Sequence, residues 1–268
     1  MLFRSVVFIA VFISFAYLSN AQCKVWFNCE TLWSKVISEF PNDPEGYQNR
    51  GLYLADKSRY DVNPSQNDYD NAFKDFKFSF TISQNEPKIY SNVGNIYGIR
   101  GIYDSALINY SKAIELDSTD FNTYMNRAVT YSMMQNYDSA FVDWDKVIKL
   151  HGPDNRVYQN RALAYLNRGR FKESIHDYKS LTDMGVQMDG NMYFFRGCDY
   201  FQLGNYDAAI EDYTKALAIN PNNKDAYFNR SQTYHKMNKP NEALDDALHA
   251  QRLGYQVDPA YIEQLKKH

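Results

Sequence analysis

Tyr124-Met125-Asn126-Arg127-Ala128 returns thirty-four residues later as Tyr158-Gln159-Asn160-Arg161-Ala162. Upstream, the same frame holds Tyr90-Ser91-Asn92-Val93-Gly94 and Tyr47-Gln48-Asn49-Arg50-Gly51. Downstream it holds Tyr193-Phe194-Phe195-Arg196-Gly197 and Tyr227-Phe228-Asn229-Arg230-Ser231. The leading tyrosines are separated by 43, 34, 34, 35 and 34 residues. A fixed period of this length is the mark of a repeat architecture.

Each start carries the same skeleton. Seven residues after the tyrosine stands Leu54, Tyr97, Tyr131, Tyr165, Tyr200 or Tyr234. A Gly- or Asn-containing turn follows, and Asp104, Asp138, Asp207 and Asn241 are expected to cap the helix that begins there. Then comes a small residue: Ala72, Ala106, Ala140, Ser174, Ala209 or Ala243. Four residues on lies a ring (Phe76, Tyr110, Trp144, Tyr178, Tyr213), replaced by Ala247 in the last copy. Apolar or small residues at i, i+4 and i+7 in both halves predict two amphipathic helices per copy. One such hairpin cannot bury its apolar face, whereas a stack of them can.

This pattern resembles the tetratricopeptide repeat from Pro44 to about Val257. The departures are Ala247, the lack of a closing proline in most copies, and a longer first copy. The resemblance implies an all-α, right-handed superhelical solenoid of about six helix-turn-helix repeats, with first helices on the concave side. The repeats are placed at 44–86, 87–120, 121–154, 155–189, 190–223 and 224–257. Residues 22–43 form an N-terminal segment whose capping helix is expected over Glu30–Phe40. Residues 258–268 form a C-terminal capping helix, expected over Ala260–Lys267.

Residues 1–21 stand apart. Arg4 gives a short positive end, Ser5–Leu18 is nearly all apolar, and Ser19-Asn20-Ala21 offers a cleavage site, which together make a signal peptide. The apolar run is too short for a span of about 20 residues, so a retained anchor is the lesser reading. The expected location is secreted or periplasmic. Export would permit a Cys23–Cys29 disulfide, and two unpaired thiols are the other reading. Net charge is −3 with both signs interspersed, which excludes the basic footprint of a nucleic-acid binder.

Five copies carry Arg three residues after the leading tyrosine, and the same five carry Asp in the second helix. The pairs are Arg50/Asp75, Arg127/Asp143, Arg161/Asp177, Arg196/Asp212 and Arg230/Asp246. The remaining copy has Val93 and Asn109, so both charges are lost together. This predicts structural ion pairs that set helix register.

The residue before each Arg forms the series Asn49, Asn92, Asn126, Asn160 and Asn229, broken at Phe195. In the resembled family that position faces the groove, where amides can hold a peptide backbone with one donor and one acceptor; solvated amides are the alternative. Phe194, Phe195, Phe201 and Phe228 are expected on the same face as a ring patch, or else packed into neighbouring hairpins or beneath the closing helix. Lys88 and Arg156 are isolated groove cations, so a basic clamp is incomplete.

The five histidines share no ligand spacing, and no phosphate loop, nucleophile elbow or HExxH occurs. Asp61, Asn63, Ser65 and Asn67 alternate like a calcium loop but lack its Gly and closing acid; Lys57–Asp68 reads as a polar connection. The expectation is a non-enzymatic scaffold with no metal or cofactor. It would bind a protein or peptide partner, with self-association open. The alternative is a structural subunit of an envelope or secretion assembly acting through convex or edge surfaces.

Overall fold

The computed structural model describes residues 22–60, 66–83 and 85–267, with the backbone alone for residues 22–28, 56–60, 66 and 67. The described residues form fourteen helices and no strand. In order they are α1 (Gln22–Glu39), α2 (Pro44–Tyr60), α3 (Gln66–Ile82), α4 (Pro87–Ile99), α5 (Tyr103–Leu116), α6 (Phe121–Met133) and α7 (Tyr137–His151). They continue with α8 (Asn155–Asn167), α9 (Phe171–Asp183), α10 (Gly190–Gln202), α11 (Tyr206–Ile219), α12 (Lys224–Lys236), α13 (Pro240–Arg252) and α14 (Pro259–Lys266). The chain divides into two compact units, residues 1–130 and 131–268.

In the first unit α1 packs on α2, α2 on α3, α3 on α4 and α4 on α5. One apolar cluster there joins Leu54, Tyr69, Ala72, Phe76, Ile89 and Ile96. In the second unit each helix from α7 to α14 packs on the next. Ala162, Tyr178, Leu181 and Met188 form one cluster there, and Ala243, Ala247, Ala250, Val257, Ile262 and Leu265 another.

The repeated small and ring positions are core. Ala72, Ala106, Ala140, Ser174, Ala209 and Ala243 are fully buried, and so are or nearly are Phe76, Tyr110, Trp144, Tyr178 and Tyr213. The rings need space on the facing first helix, and opposite Phe76, Tyr110 and Tyr213 glycine supplies it. A Cβ on Gly94 would stand 2.7 Å from the Tyr110 ring, and one on Gly197 would stand 2.8 Å from Tyr213. In the last hairpin the ring is Ala247, and Ser231 takes the glycine's place with its hydroxyl bonded to the Ala243 carbonyl at 2.6 Å.

The structure corrects the expected caps. Helices α5, α7 and α11 begin at Tyr103, Tyr137 and Tyr206, so Asp104, Asp138 and Asp207 lie inside the first turn. There they act on the helix dipole. The capping side chains are Asn136 and Asn205, which accept from the amides of Ser139 and Ala208. Asn241 likewise follows Pro240, the first residue of α13.

The nine extra residues of the first copy lengthen helices more than loop. α2 and α3 have 17 residues each, so Lys57–Tyr60 and Gln66–Asp68 are helical. α1 starts at Gln22, earlier than Glu30. α14 runs Pro259–Lys266 and buries Ile262 and Leu265, and Tyr261 continues the 34-residue spacing from Tyr227. The signal segment, the Cys23 side chain and the Asp61, Asn63, Ser65 and Asn67 side chains lie outside the described residues.

Candidate functional site

In four hairpins the Arg and Asp positions meet across the two helices. Arg50 donates from Nε and Nη2 to Asp75 at 2.7 and 2.7 Å. Arg161 reaches Asp177 at 2.8 and 2.8 Å, Arg196 reaches Asp212 at 2.6 and 2.8 Å, and Arg230 reaches Asp246 at 2.7 and 2.8 Å. All four carboxylates are buried. Two parallel bonds fix both helices in register.

A further bond ties in the preceding helix. Nη1 of Arg50, Arg127, Arg161 and Arg230 donates to Ser34, Ser111, Asp145 and Thr214, each sixteen residues earlier. The guanidinium also lies 5.5–6.0 Å from the ring centroid of its leading tyrosine in all five copies. Arg127 and Asp143 belong to different units. Hydrogen bonding to Asp75 and Asp212 holds Arg50 and Arg196 above the usual guanidinium range. For Arg161 and Arg230 burial opposes the charge, and the Asp partner outweighs it. In the exceptional copy Val93 packs on the apolar cluster and Asn109 donates to the Ser105 carbonyl.

The asparagine series lies on the first helices, half-buried throughout. Nδ2 of Asn49 and Asn160 donates back to the carbonyls of Glu45 and Arg156 at 2.9 and 2.8 Å. Nδ2 of Asn126 donates to Asn95 Oδ1 at 2.8 Å, and that of Asn229 donates to Cys198 Sγ at 3.4 Å. Each of these amides therefore has its orientation set from within the protein. An asparagine amide has two N–H groups and two lone pairs, so one bond leaves capacity for a ligand.

The acceptors Asn95 and Cys198 are not among the residues expected from sequence. Both stand five residues after a leading tyrosine, where Leu52, Val129, Leu163 and Gln232 stand in the other copies. A polar side chain where three copies are apolar is the signal. Asn95 Oδ1 also accepts from the Tyr110 hydroxyl at 2.9 Å, which connects the face to the core ring.

The four phenylalanines do not make one patch. Phe194 and Phe195 meet at 5.3 Å, and Phe194 also approaches Tyr213 at 6.0 Å. Phe195 packs against the cluster of Ala162, Tyr178, Leu181 and Met188. Phe201 lies 5.7 Å from Tyr206. Phe228 stacks on Tyr255 at 4.3 Å and meets Tyr261 of α14 at 5.9 Å. Large rings seek such contacts rather than water, so Phe195 and Phe228 serve their neighbours in the stack. Arg156 is engaged by Asp154, the residue capping α8, at 3.1 and 2.7 Å. Lys88 is exposed.

Among the described residues no helix is long and apolar enough to cross a membrane. A family model described as TPR repeat matches residues 94–135 and 197–238, and one described as Tetratricopeptide repeat matches 156–184 and 224–253. A DnaJ homolog subfamily C member 7 homolog of Schizosaccharomyces pombe is 37% identical over 75 residues, which make 26% of this chain and 15% of that protein. The match thus spans less than a sixth of that relative.

Among solved structures, YrrB, described as a TPR protein with an unusual peptide-binding site, has a TM-score of 0.61 at 19% identity. The match covers 72% of this chain and 98% of that one. A tetratricopeptide repeat protein from Parabacteroides merdae has a TM-score of 0.58 at 20% identity, covering 90% and 91%. Likeness at these identities speaks for the fold alone. The chain carries tetratricopeptide repeats, stacked as an all-α array of helical hairpins, the type of scaffold that proteins of this class typically use to engage other proteins.

Proposed function

We propose that the chain is a non-enzymatic scaffold that binds an extended protein segment along the faces of its first helices. The observation that carries this reading is the periodic row of half-buried asparagine amides. Four of the five have Nδ2 anchored inside the protein. An anchored amide loses little rotamer freedom on binding, so its remaining donor and acceptor meet a peptide backbone at reduced entropic loss. Phe194, half-buried on α10, adds a ring contact. Arg156 and Lys88 supply no basic clamp, so the reading favours backbone recognition over capture of an acidic tail.

Export to the periplasm or outside the cell is part of the same proposal and rests on the composition of residues 1–21. A second reading, assembly through convex or edge surfaces, draws on Ile108. That side chain is 70% exposed on α5, beside an open hollow of about 580 Å³ lined by Tyr90, Leu107 and Asn109 among others.

Site-specific photo-crosslinking separates the two. A benzophenone residue at position 92 and another at position 108 would be compared against peptides selected on the intact mature chain and against the native extract. Crosslinks from position 92 support first-helix binding. Crosslinks confined to position 108 refute it in favour of assembly.

A further inference from the structure

Helix α10 holds a second unusual residue. Asp199 stands six residues after its leading tyrosine, where the other copies have Tyr53, Ile96, Thr130, Ala164 and Thr233. None of those five is ionisable near neutral pH. Asp199 is completely buried. Its Oδ2 accepts from the Ser174 hydroxyl of α9 at 2.6 Å, and its Oδ1 has no hydrogen-bond partner. Ser174 is itself exceptional, since every other copy has alanine at that position. The two departures meet each other across the junction between hairpin α8–α9 and hairpin α10–α11.

A buried carboxylate needs a cation or several donors to stay ionised. The helices around α10 leave it neither. From α9 come Ser174 and the phenol of Tyr178, while Asp177 is held by Arg161 of α8. From α11 comes the phenol of Tyr213, while Asp212 holds Arg196, the cation of α10 itself. From α12 the Asn229 amide reaches Cys198, and Arg230 is held by Asp246. The Cys198 thiol beside Asp199 is itself pushed up by burial. Lys172, Lys179, Lys215, Lys224 and Lys236 stand exposed at the surface. His176 is exposed and lies 3.9 Å from Asp177.

We propose that the junction of α9 with α10 is a proton-gated joint, closed while Asp199 is neutral and loosened when Asp199 gives its proton to solvent. The same helix presents Phe194 and Phe195, so the joint would set how firmly that face is held. The joint itself does not depend on what the chain binds.

Burial is the main cause that pushes the Asp199 carboxyl up to about 7, and the Ser174 hydrogen bond pulls the other way. The native state then binds a proton that the unfolded chain has already released above its ordinary carboxylate range, about 3.9. Stability of the second unit therefore falls as pH rises from about 4 to 7 and levels off above that.

The test uses the intact mature chain. Urea unfolding and hydrogen exchange of residues 155–219 are followed from pH 5 to 8, for the native protein and for Asp199→Asn. For the native protein the folded-to-unfolded ratio should fall by roughly tenfold per pH unit up to about pH 7 relative to the variant, one proton's worth of linkage. Every other group is common to both proteins and cancels in the comparison. Parallel pH profiles would overturn the proposal. Asp199→Ala, which restores the alanine found at position 164, gives the same comparison if the amide variant folds poorly. The carboxyl carbon of Asp199, followed by NMR in the unaltered protein, should titrate near neutrality. Titration near pH 4 would overturn the proposal without any variant.

Discussion

Gly94 and Tyr110 show how closely single residues are matched within a hairpin. With a Cβ at position 94 only 2.7 Å from the ring, Gly94→Ala must displace Tyr110. Overpacking of this kind costs about 1–3 kcal/mol, and urea unfolding should show a loss in that range. The Arg/Asp pairs predict a larger effect from an opposite cause. Arg161→Ala leaves Asp177, 1% exposed, buried without its partner, which should cost about 3–5 kcal/mol. The double variant Arg161→Met, Asp177→Leu should recover most of it, since the pair sets register more than it adds net stability. Failure of the double variant to recover would show that the pair itself is strongly stabilising. These pairs are legible in sequence because both members recur and vanish together at Val93 and Asn109. Asp199 is not, because it occurs once and its meaning depends on Ser174, twenty-five residues away.

At the scale of elements, the turn between the helices of a hairpin is the best-defined connection. Five successive hairpins place one residue with positive φ at the same point: Gly101, Gln135, Gly169, Gly204 and Asn238. The next amide then bonds back to the carbonyl five residues earlier, as Arg170 does to Tyr165 at 2.8 Å. Gly169→Ala should destabilise the second unit by about 1 kcal/mol, the usual strain of a side chain in this conformation. An unchanged melting temperature would mean the turn relaxes. Sequence locates these turns but places the caps two residues late. The reason is physical: the helices start on Tyr103, Tyr137 and Tyr206, aromatic residues that read equally well as the end of a turn. The first hairpin carries a similar ambiguity. Polar residues such as Asp56, Lys57 and Asn67 are as compatible with an exposed helix as with a loop, and here α2 and α3 extend to 17 residues each.

For the whole molecule, repetition alone makes the all-α stack readable in the sequence, whereas the fate of the phenylalanines is not. Phe194, Phe195, Phe201 and Phe228 share a helical face by spacing, but their partners come from other elements: Tyr213, Tyr206, Tyr255 and Tyr261. Periodicity gives the direction of a side chain, not what a neighbouring hairpin lays across it. The proposed binding function therefore rests on the asparagine row. Its most direct test compares the native chain with a triple variant, Asn49→Ala, Asn126→Ala and Asn160→Ala, in calorimetric titration with peptides selected on the native chain. Affinity should fall by about tenfold or more, the loss of one or two net hydrogen bonds, while helicity and melting temperature remain near native. Undiminished affinity in a folded triple variant would contradict binding through the asparagine row.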